Sequence, residues 1–328
     1  MRSVDPAREC HARGMSLLEE HVALRLAAFR GLSPFVDGPA AEEAVRTYLS
    51  AHHANGEVRA WSFDGKLAAI VAWNFVPDTW FGAPSWNVAV DHRTDVPADR
   101  VESWLLDALG PALPGLDAEI DLLLPASYRP AFSALRRLGL GIDSVQLVGE
   151  VEVALASLGD SRLSTSLAIE PLDAESLPAV LGLLERTFAD EPEHGWFCAL
   201  PAFLARQRDE LEKSLDDANA LQLVVKSGQH VVGHVGATIK LDNPFWGPSA
   251  SLGICLDSSI RRRGVLRPLY RAFLEGLRAR GLRVFRGGTS RPEVMHLGHV
   301  MRRTLQGLNL RRNAPFPDTH FATWWPSD

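Results

Sequence analysis

The residues with the most chemical content lie in one run, Ile254-Cys255-Leu256-Asp257-Ser258-Ser259-Ile260-Arg261-Arg262-Arg263-Gly264-Val265-Leu266-Arg267. An apolar, strand-like stretch ends there, three arginines fill a turn, and a glycine opens a segment of helical periodicity. The first N–H groups of a helix have no intrahelical acceptor and carry the positive end of the helix dipole. A glycine at that point lets a bulky anion approach the main chain. The pattern predicts a cradle for a pyrophosphate, with arginine side chains for any further phosphate. A basic turn on a solvated surface has the same composition, so the run alone leaves both readings open.

Three other groups have the residue types to move a proton or carry a covalent step. Glu191-Pro192-Glu193-His194-Gly195-Trp196 joins two acids that attract a cation to a histidine that titrates near neutrality and an aromatic wall. His296 and His299 stand three apart, on one face of a helix, but no third ligand lies at a spacing a metal would need. Cys255 has a nucleophilic atom, yet no basic partner is identifiable, and a strand cysteine is ordinarily a small core residue. Neither a metal site nor an acyl-cysteine is expected. His230 and His234, on the second hairpin, read as structural.

Elements of two kinds must position these groups. Arg59–Trp73 reads as strand, turn and strand around Asp64-Gly65, and Leu221–Gly236 repeats that shape around Ser227-Gly228. Each is followed by a short strand ending in aspartate, at Asp91 and Asp257. Leu138-Gly139-Leu140 and Gln306-Gly307-Leu308 each close a helical stretch. These correspondences recur at an offset of about 163 to 168 residues, which predicts a duplicated domain. The seam falls in the small, polar segment 158–166, giving domains 1–157 and 165–328. Helices are expected over 15–29, 128–138, 174–188, 201–215, 264–280 and 293–305, with strands at 167–169, 221–225, 231–239, 250–256 and 282–285. The fold class is α+β, each domain a mixed, mostly antiparallel sheet flanked by helices.

Charge separates the second half into two regions. Residues 170–217 hold twelve acids against four Lys or Arg, and residues 261–313 hold fourteen arginines against two acids. The arginines share their segment with helical periodicity and lack interleaved exposed aromatics, so a small polyanion is favoured over a nucleic acid. No apolar run approaches the length of a membrane span, the first ten residues hold no apolar leader, and the three cysteines form no CxxC pair. A cytoplasmic protein with neither membrane nor nucleic-acid partner is expected. The oligomeric state is left open.

The run Arg261-Arg262-Arg263-Gly264-Val265-Leu266 resembles the acetyl-CoA loop of the GNAT superfamily of N-acetyltransferases, Arg/Gln-x-x-Gly-x-Gly/Ala, with Leu256 at the usual Val position before it. The family's closing motif, Asn-x-x-Ala-x-x-Leu-Tyr-x-x-Leu-Gly-Phe, falls on His296 to Leu308. The resemblance covers roughly residues 165–313 and, more weakly, the first half, in a tandem layout like that of mycothiol synthase. It implies that acetyl-CoA, or another acyl-CoA, is held by Ile254, Cys255, Leu256, Arg261, Arg262, Arg263, Gly264, Val265, Leu266, Arg267 and His296. It also implies direct transfer of the acyl group to a primary amine of a small molecule or peptide, with Glu191, Glu193 and His194 in the acceptor-binding segment. Leu266 replaces a small residue of the loop, Arg303 stands at the tyrosine that commonly protonates the leaving thiolate, and His296 stands at the asparagine. Ala250, Ser251 and Leu252 offer no carboxylate where a strand glutamate often serves as base. The matching turn of the first half, Asp91 to Arg100, has three aspartates and no glycine, so that half reads as a copy without a cofactor. A CoA-binding regulatory module that has lost catalysis is the alternative.

Overall fold

The computed structural model describes residues 16–30, 39–79, 82–113, 119–160, 163–164, 166–190, 200–243, 246–261, 263–312 and 314–324. It forms two compact units: Met1–Thr79, Pro84–Val145 and Leu305–Asp328 make the first, Trp80–Ala83 and Gln146–Thr304 the second. The polar seam at 158–166 lies inside the second unit. The unit boundary falls instead within a strand, between Val145 and Gln146.

In the first unit, helices α1 (Leu17–Arg30) and α2 (Pro39–Asn55) precede strands β1 (Glu57–Phe63), β2 (Lys66–Val76) and β3 (Ser85–His92). Helix α3 (Ala98–Ala112), strand β4 (Glu119–Pro125), helix α4 (Arg129–Arg137) and strand β5 (Leu140–Glu150) follow. The second unit holds α5 (Val151–Leu158), β6 (Leu167–Pro171), α6 (Leu177–Asp190), α7 (Pro201–Ser214), β7 (Leu221–Ser227), β8 (His230–Lys240) and β9 (Ser249–Leu256). It continues through α8 (Leu266–Ala279), β10 (Val284–Thr289) and α9 (Pro292–Val300) to β11 (Thr304–Arg312), most of which belongs to the first unit.

The duplication is carried by geometry as well as by sequence. β1, β2, β3 and β5 begin at 57, 66, 85 and 140, and β7, β8, β9 and β11 begin at 221, 230, 249 and 304, a constant offset of 164. Both hairpins carry a register shift at the same place, between Trp61 and Ser62 and between Val225 and Lys226. In each copy the hairpin and the third strand are antiparallel, and the next strand is parallel to the third. The last strands are exchanged: β11, at the end of the second copy, pairs antiparallel with β4 of the first, Leu308 opposite Leu124.

One stretch departs from its expected form. The helix expected over 293–305 stops at Val300, and Gln306-Gly307-Leu308 lies inside β11. The left-handed residue that ends the helix is Arg302, at φ +54°, matching Gly139 at φ +84° in the first copy. Arginine gives no sequence signal for that conformation, which glycine adopts far more readily.

The second unit packs the inner residues of β7, β8 and β9 with Phe285 against α8 and α5, around Leu269, Tyr270, Phe273 and Leu277. Arg303 is buried with them. Its Nη2 donates to the carbonyls of Leu147 at 2.7 Å and Gly287 at 3.0 Å, and the guanidinium lies over the Phe285 ring. Burial lowers its pKa to about 10, which leaves it charged at neutral pH.

The first unit buries a charged network on the face of β3 that α1 and α2 cover. Asp91 accepts from His21 Nε2 at 2.9 Å, Arg25 Nε at 2.8 Å and Tyr128 Oη at 3.2 Å, and His21 Nδ1 meets His53 Nε2 at 3.0 Å. Burial alone pushes the Asp91 carboxyl up, but the Arg25 charge and the hydrogen bond from His21 outweigh it and the net direction is down. Burial lowers both His52 and His53 to about 4, and it lowers His21, His92 and His234 as well. These folded-state values lie below the unfolded ones, so the folded chain binds fewer protons and loses stability as pH falls. Denaturant midpoints should be flat above pH 7 and fall between about 6.5 and 4, with a fully titrating buried histidine contributing about 1.4 kcal/mol per pH unit. His52→Leu should flatten that fall by one group; an unchanged slope in urea melts would place the proton uptake elsewhere.

Candidate functional site

The parallel pair β9–β10 is registered over three positions only, Ser249 with Val284, Ala250 with Phe285 and Ser251 with Arg286. Beyond Ser251 no register links the two strands, and β9 continues to Leu256 along β8. Asp257 N donates to Val232 O at 2.9 Å, and the alternation of an antiparallel ladder then directs the N–H groups of Cys255 and Gly253 toward β8. That of Leu252 faces β10 where the Ser251–Arg286 register ends, and those of Ile254 and Leu256 point to the same edge beyond it, into the wedge left by β10. A ligand lying along that edge meets main-chain donors without displacing any sheet partner.

The wedge leads to the basic turn. A 3₁₀ turn, Ser258–Ile260, is capped by the Asp257 carboxylate, which accepts from Ser259 N at 2.9 Å. Arg261 folds back, its Nε and Nη2 donating to Leu256 O at 3.1 and 2.9 Å, and so fixes the end of the strand. Gly264 has φ +74° and open space where a Cβ would project. Val265 is buried as the N-cap of α8, Leu266 is its first residue, and Arg263 and Arg267 are exposed beside the helix start. Arg262 lies outside the described residues, as do Glu191, Glu193, His194 and Trp196.

The side chains of β9 divide between two faces. Ile254 and Leu256 join the core under α8, while Cys255 is buried against α6 and α7 with Leu183, Leu211 and Val224. That packing makes Cys255 a core residue. On the face shared with Cys255, register sets Gln222, Gly236, Gly253 and Ser251 in neighbouring places, with Arg286 beside Ser251. Gly253 is exposed in the middle of the sheet, with nothing within 4 Å of an added Cβ, so an open floor lies above it. His234 Nε2 meets Gln222 Oε1 at 2.9 Å, and burial holds the imidazole at about 4, neutral at physiological pH and a weak base there. Gly253, His234 and Arg286 were not singled out as site residues in the sequence, because their roles come from strand register rather than from a local motif.

His296 and His299 are both exposed on α9. With the left-handed turn at Arg302, the asparagine position of the closing motif moves to Arg291 and the tyrosine position to Gly298. Among the described residues no group of three or more His, Cys, Asp or Glu side chains could hold a metal ion. No helix among them is long and apolar enough to cross a membrane.

The first unit has the same wedge with different contents. β3 and β4 are registered only from Ser85 with Glu119 to Asn87 with Asp121. Asp91 and His92, consecutive on β3, point to opposite faces. Tyr128 touches both, its hydroxyl on Asp91 and its ring centroid 4.3 Å from that of His92, so its side chain fills the gap at the strand edge. No glycine opens the turn after β3, where Arg93 and Asp95 form an ion pair.

A hairpin, a third antiparallel strand that parts from its parallel neighbour, and a helix started at that parting occur in both copies. The fold is that of the GCN5-related N-acetyltransferases. A GCN5-related N-acetyltransferase from Sphaerobacter thermophilus superposes over 92% of this chain and 95% of its own, with TM-score 0.51 and 15% identity. A glucosamine N-acetyltransferase region of a fungal multi-domain GH3 β-N-acetylglucosaminidase covers 90% of this chain and 36% of its own, with TM-score 0.52 and 14% identity. No protein-family model and no curated protein matches the sequence. The expected α+β class, with mixed sheets flanked by helices and a tandem GNAT arrangement, is borne out.

Because Gly253 lies in extended backbone with free space above it, a large side chain fits there without displacing the core. Gly253→Phe should therefore change stability by no more than about 0.5 kcal/mol in denaturant melts. A loss of several kcal/mol would show that the floor is covered.

Proposed function

We propose that the chain is an N-acyltransferase that moves an acetyl or other short acyl group from CoA to a primary amine, using the second copy alone. The observation that carries this reading is the contrast between the two wedges. That of the second unit runs open from Gly253 to a glycine-started, arginine-flanked helix, while that of the first is filled by Tyr128 and its aspartate. Pyrophosphate would meet the N–H groups from Gly264 to Arg267, and Arg263 and Arg267, exposed beside the helix start, would serve a further phosphate. The pantetheine arm would run along β9, pairing with the N–H groups of Ile254 and Leu256, and the thioester would arrive near Gly253. The Ile254 N–H is then available to the carbonyl oxygen as it gains charge.

Direct attack fits this arrangement, because Cys255, the residue type that would carry an acyl group, is packed in the core. The incoming ammonium must lose a proton before it attacks. His234 is a weak base at neutral pH, and β9 presents Ser251, Gly253 and Cys255 on that face rather than a carboxylate. We assign the proton and the amine to Glu191, Glu193 and His194, whose acids attract a cation and whose imidazole can accept a proton. The lack of a strand carboxylate also favours a second reading, a CoA-binding module without turnover.

Calorimetry with acetyl-CoA should give one site per chain, and Gly264→Glu should weaken it at least tenfold, about 1.4 kcal/mol. Two equivalent sites, or an affinity within about threefold of wild type, would place the cradle elsewhere. CoA release with a panel of primary amines separates transferase from module. His194→Ala and Glu191→Gln should each lower kcat by about tenfold or more with acetyl-CoA affinity kept. Near-normal turnover in both would pass the proton to another group.

A further inference from the structure

The second unit buries two arginines of β10 and its surroundings, and they are treated differently. Arg303 Nη2 has two carbonyl acceptors and its guanidinium an aromatic face, although its Nε, like that of Arg286, has no hydrogen-bond partner. Arg286 is half-buried on the open face of the sheet, and its Nε has no hydrogen-bond partner. Among the described residues no carboxylate acts on it, and burial lowers its pKa. Removing a guanidinium from water without an acceptor is unfavourable, and a bound anion that supplies acceptors reverses the balance.

Its position says which ligand could do so. Arg286 is in register with Ser251, whose side chain shares its face, and Gly253 follows two residues along β9. At about 3.3 Å per residue, the open floor above Gly253 begins about 7 Å from the Ser251–Arg286 register. This is the floor where acceptor and thioester meet in the reading given above, and it lies away from the pyrophosphate turn at the other end of β9.

We propose that Arg286, with Ser251 beside it, binds an anionic group, carboxylate or phosphate, on the amine acceptor. The substrate class is then a small zwitterion that carries its reacting amine a short distance from an anion. Polyamines and neutral amino sugars would leave Arg286 without a counter-charge.

The inference rests on the transferase reading for the place of the acceptor, and the test keeps the two apart. Matched pairs of amines are used, each with and without its anion: amino acids against their amides, and a phosphorylated amino alcohol against the free amino alcohol. Binding to protein saturated with acetyl-CoA and release of CoA are measured separately. In wild type the anionic member of at least one pair should bind at least tenfold more tightly than its neutral partner. Arg286→Gln should bring that ratio below threefold while acetyl-CoA affinity and the denaturation midpoint stay put, and Arg286→Lys should restore part of it. Which pair responds distinguishes carboxylate from phosphate. Equal binding of both members, a ratio that survives Arg286→Gln, or no binding by any anionic amine overturns the inference. Turnover of neutral amines without anionic preference overturns it and leaves the transferase standing. Anion-dependent binding without CoA release supports it and overturns the transferase.

Discussion

The parting of β9 from β10 after Ser251 is the constraint on which the rest of the second unit depends. A parallel pair normally satisfies the N–H and C=O groups along its whole length, and orphaned main-chain groups inside a fold are uncommon. Here the strands agree for three residues and then separate. The separation leaves a row of directed donors that only a ligand or solvent can meet. Everything else in the unit holds that row in place. β8 fixes one edge of β9, Arg261 ties down its last carbonyl, and the core under α8 anchors Ile254 and Leu256. The helix that starts at the turn then aims its own free N–H groups at the same track.

The two copies differ in what lies at such a track. Position 91 of β3 corresponds to Cys255 of β9, and an aspartate stands where a small apolar side chain would serve. A buried carboxylate requires partners, and Arg25, His21 and Tyr128 supply them. The tyrosine closes the gap in doing so. The aspartate on the strand thus gathers a set of buried groups whose removal would be costly, and in this copy the strand edge belongs to the interior. In the second copy Cys255 needs no partner, and the gap remains.

Much of this was legible in the sequence, and the reasons are local. The paired hairpins, the strand ending at Leu256 and the glycine before α8 announce themselves by alternation, turn residues and periodicity over a few residues. The end of α9 was not legible, because Arg302 takes the left-handed conformation without glycine's signature, and the spacing of Leu305, Leu308 and Leu310 fits either a helix or a strand. That one ambiguity moved the closing motif by five residues. Arg286 was hidden for a different reason. It is one of fourteen arginines between 261 and 313, and only the register beside Ser251 sets it apart from those that are solvated. Tyr128 was visible as a helix start and silent as a plug, since its partner Asp91 lies 37 residues away.

The exchange of final strands bears on how the chain is made. β4 finds its antiparallel partner in β11, so the sheet of the first unit waits for residues 304–312, nearly two hundred positions further on. During synthesis, the first copy leaves the ribosome long before its last strand exists. It must keep β4, with Leu122 and Leu124 bound for the core, from pairing with anything else in the meantime. Contacts of such separation form late and slowly. The first unit therefore cannot complete its sheet until residues 304–312 have been made.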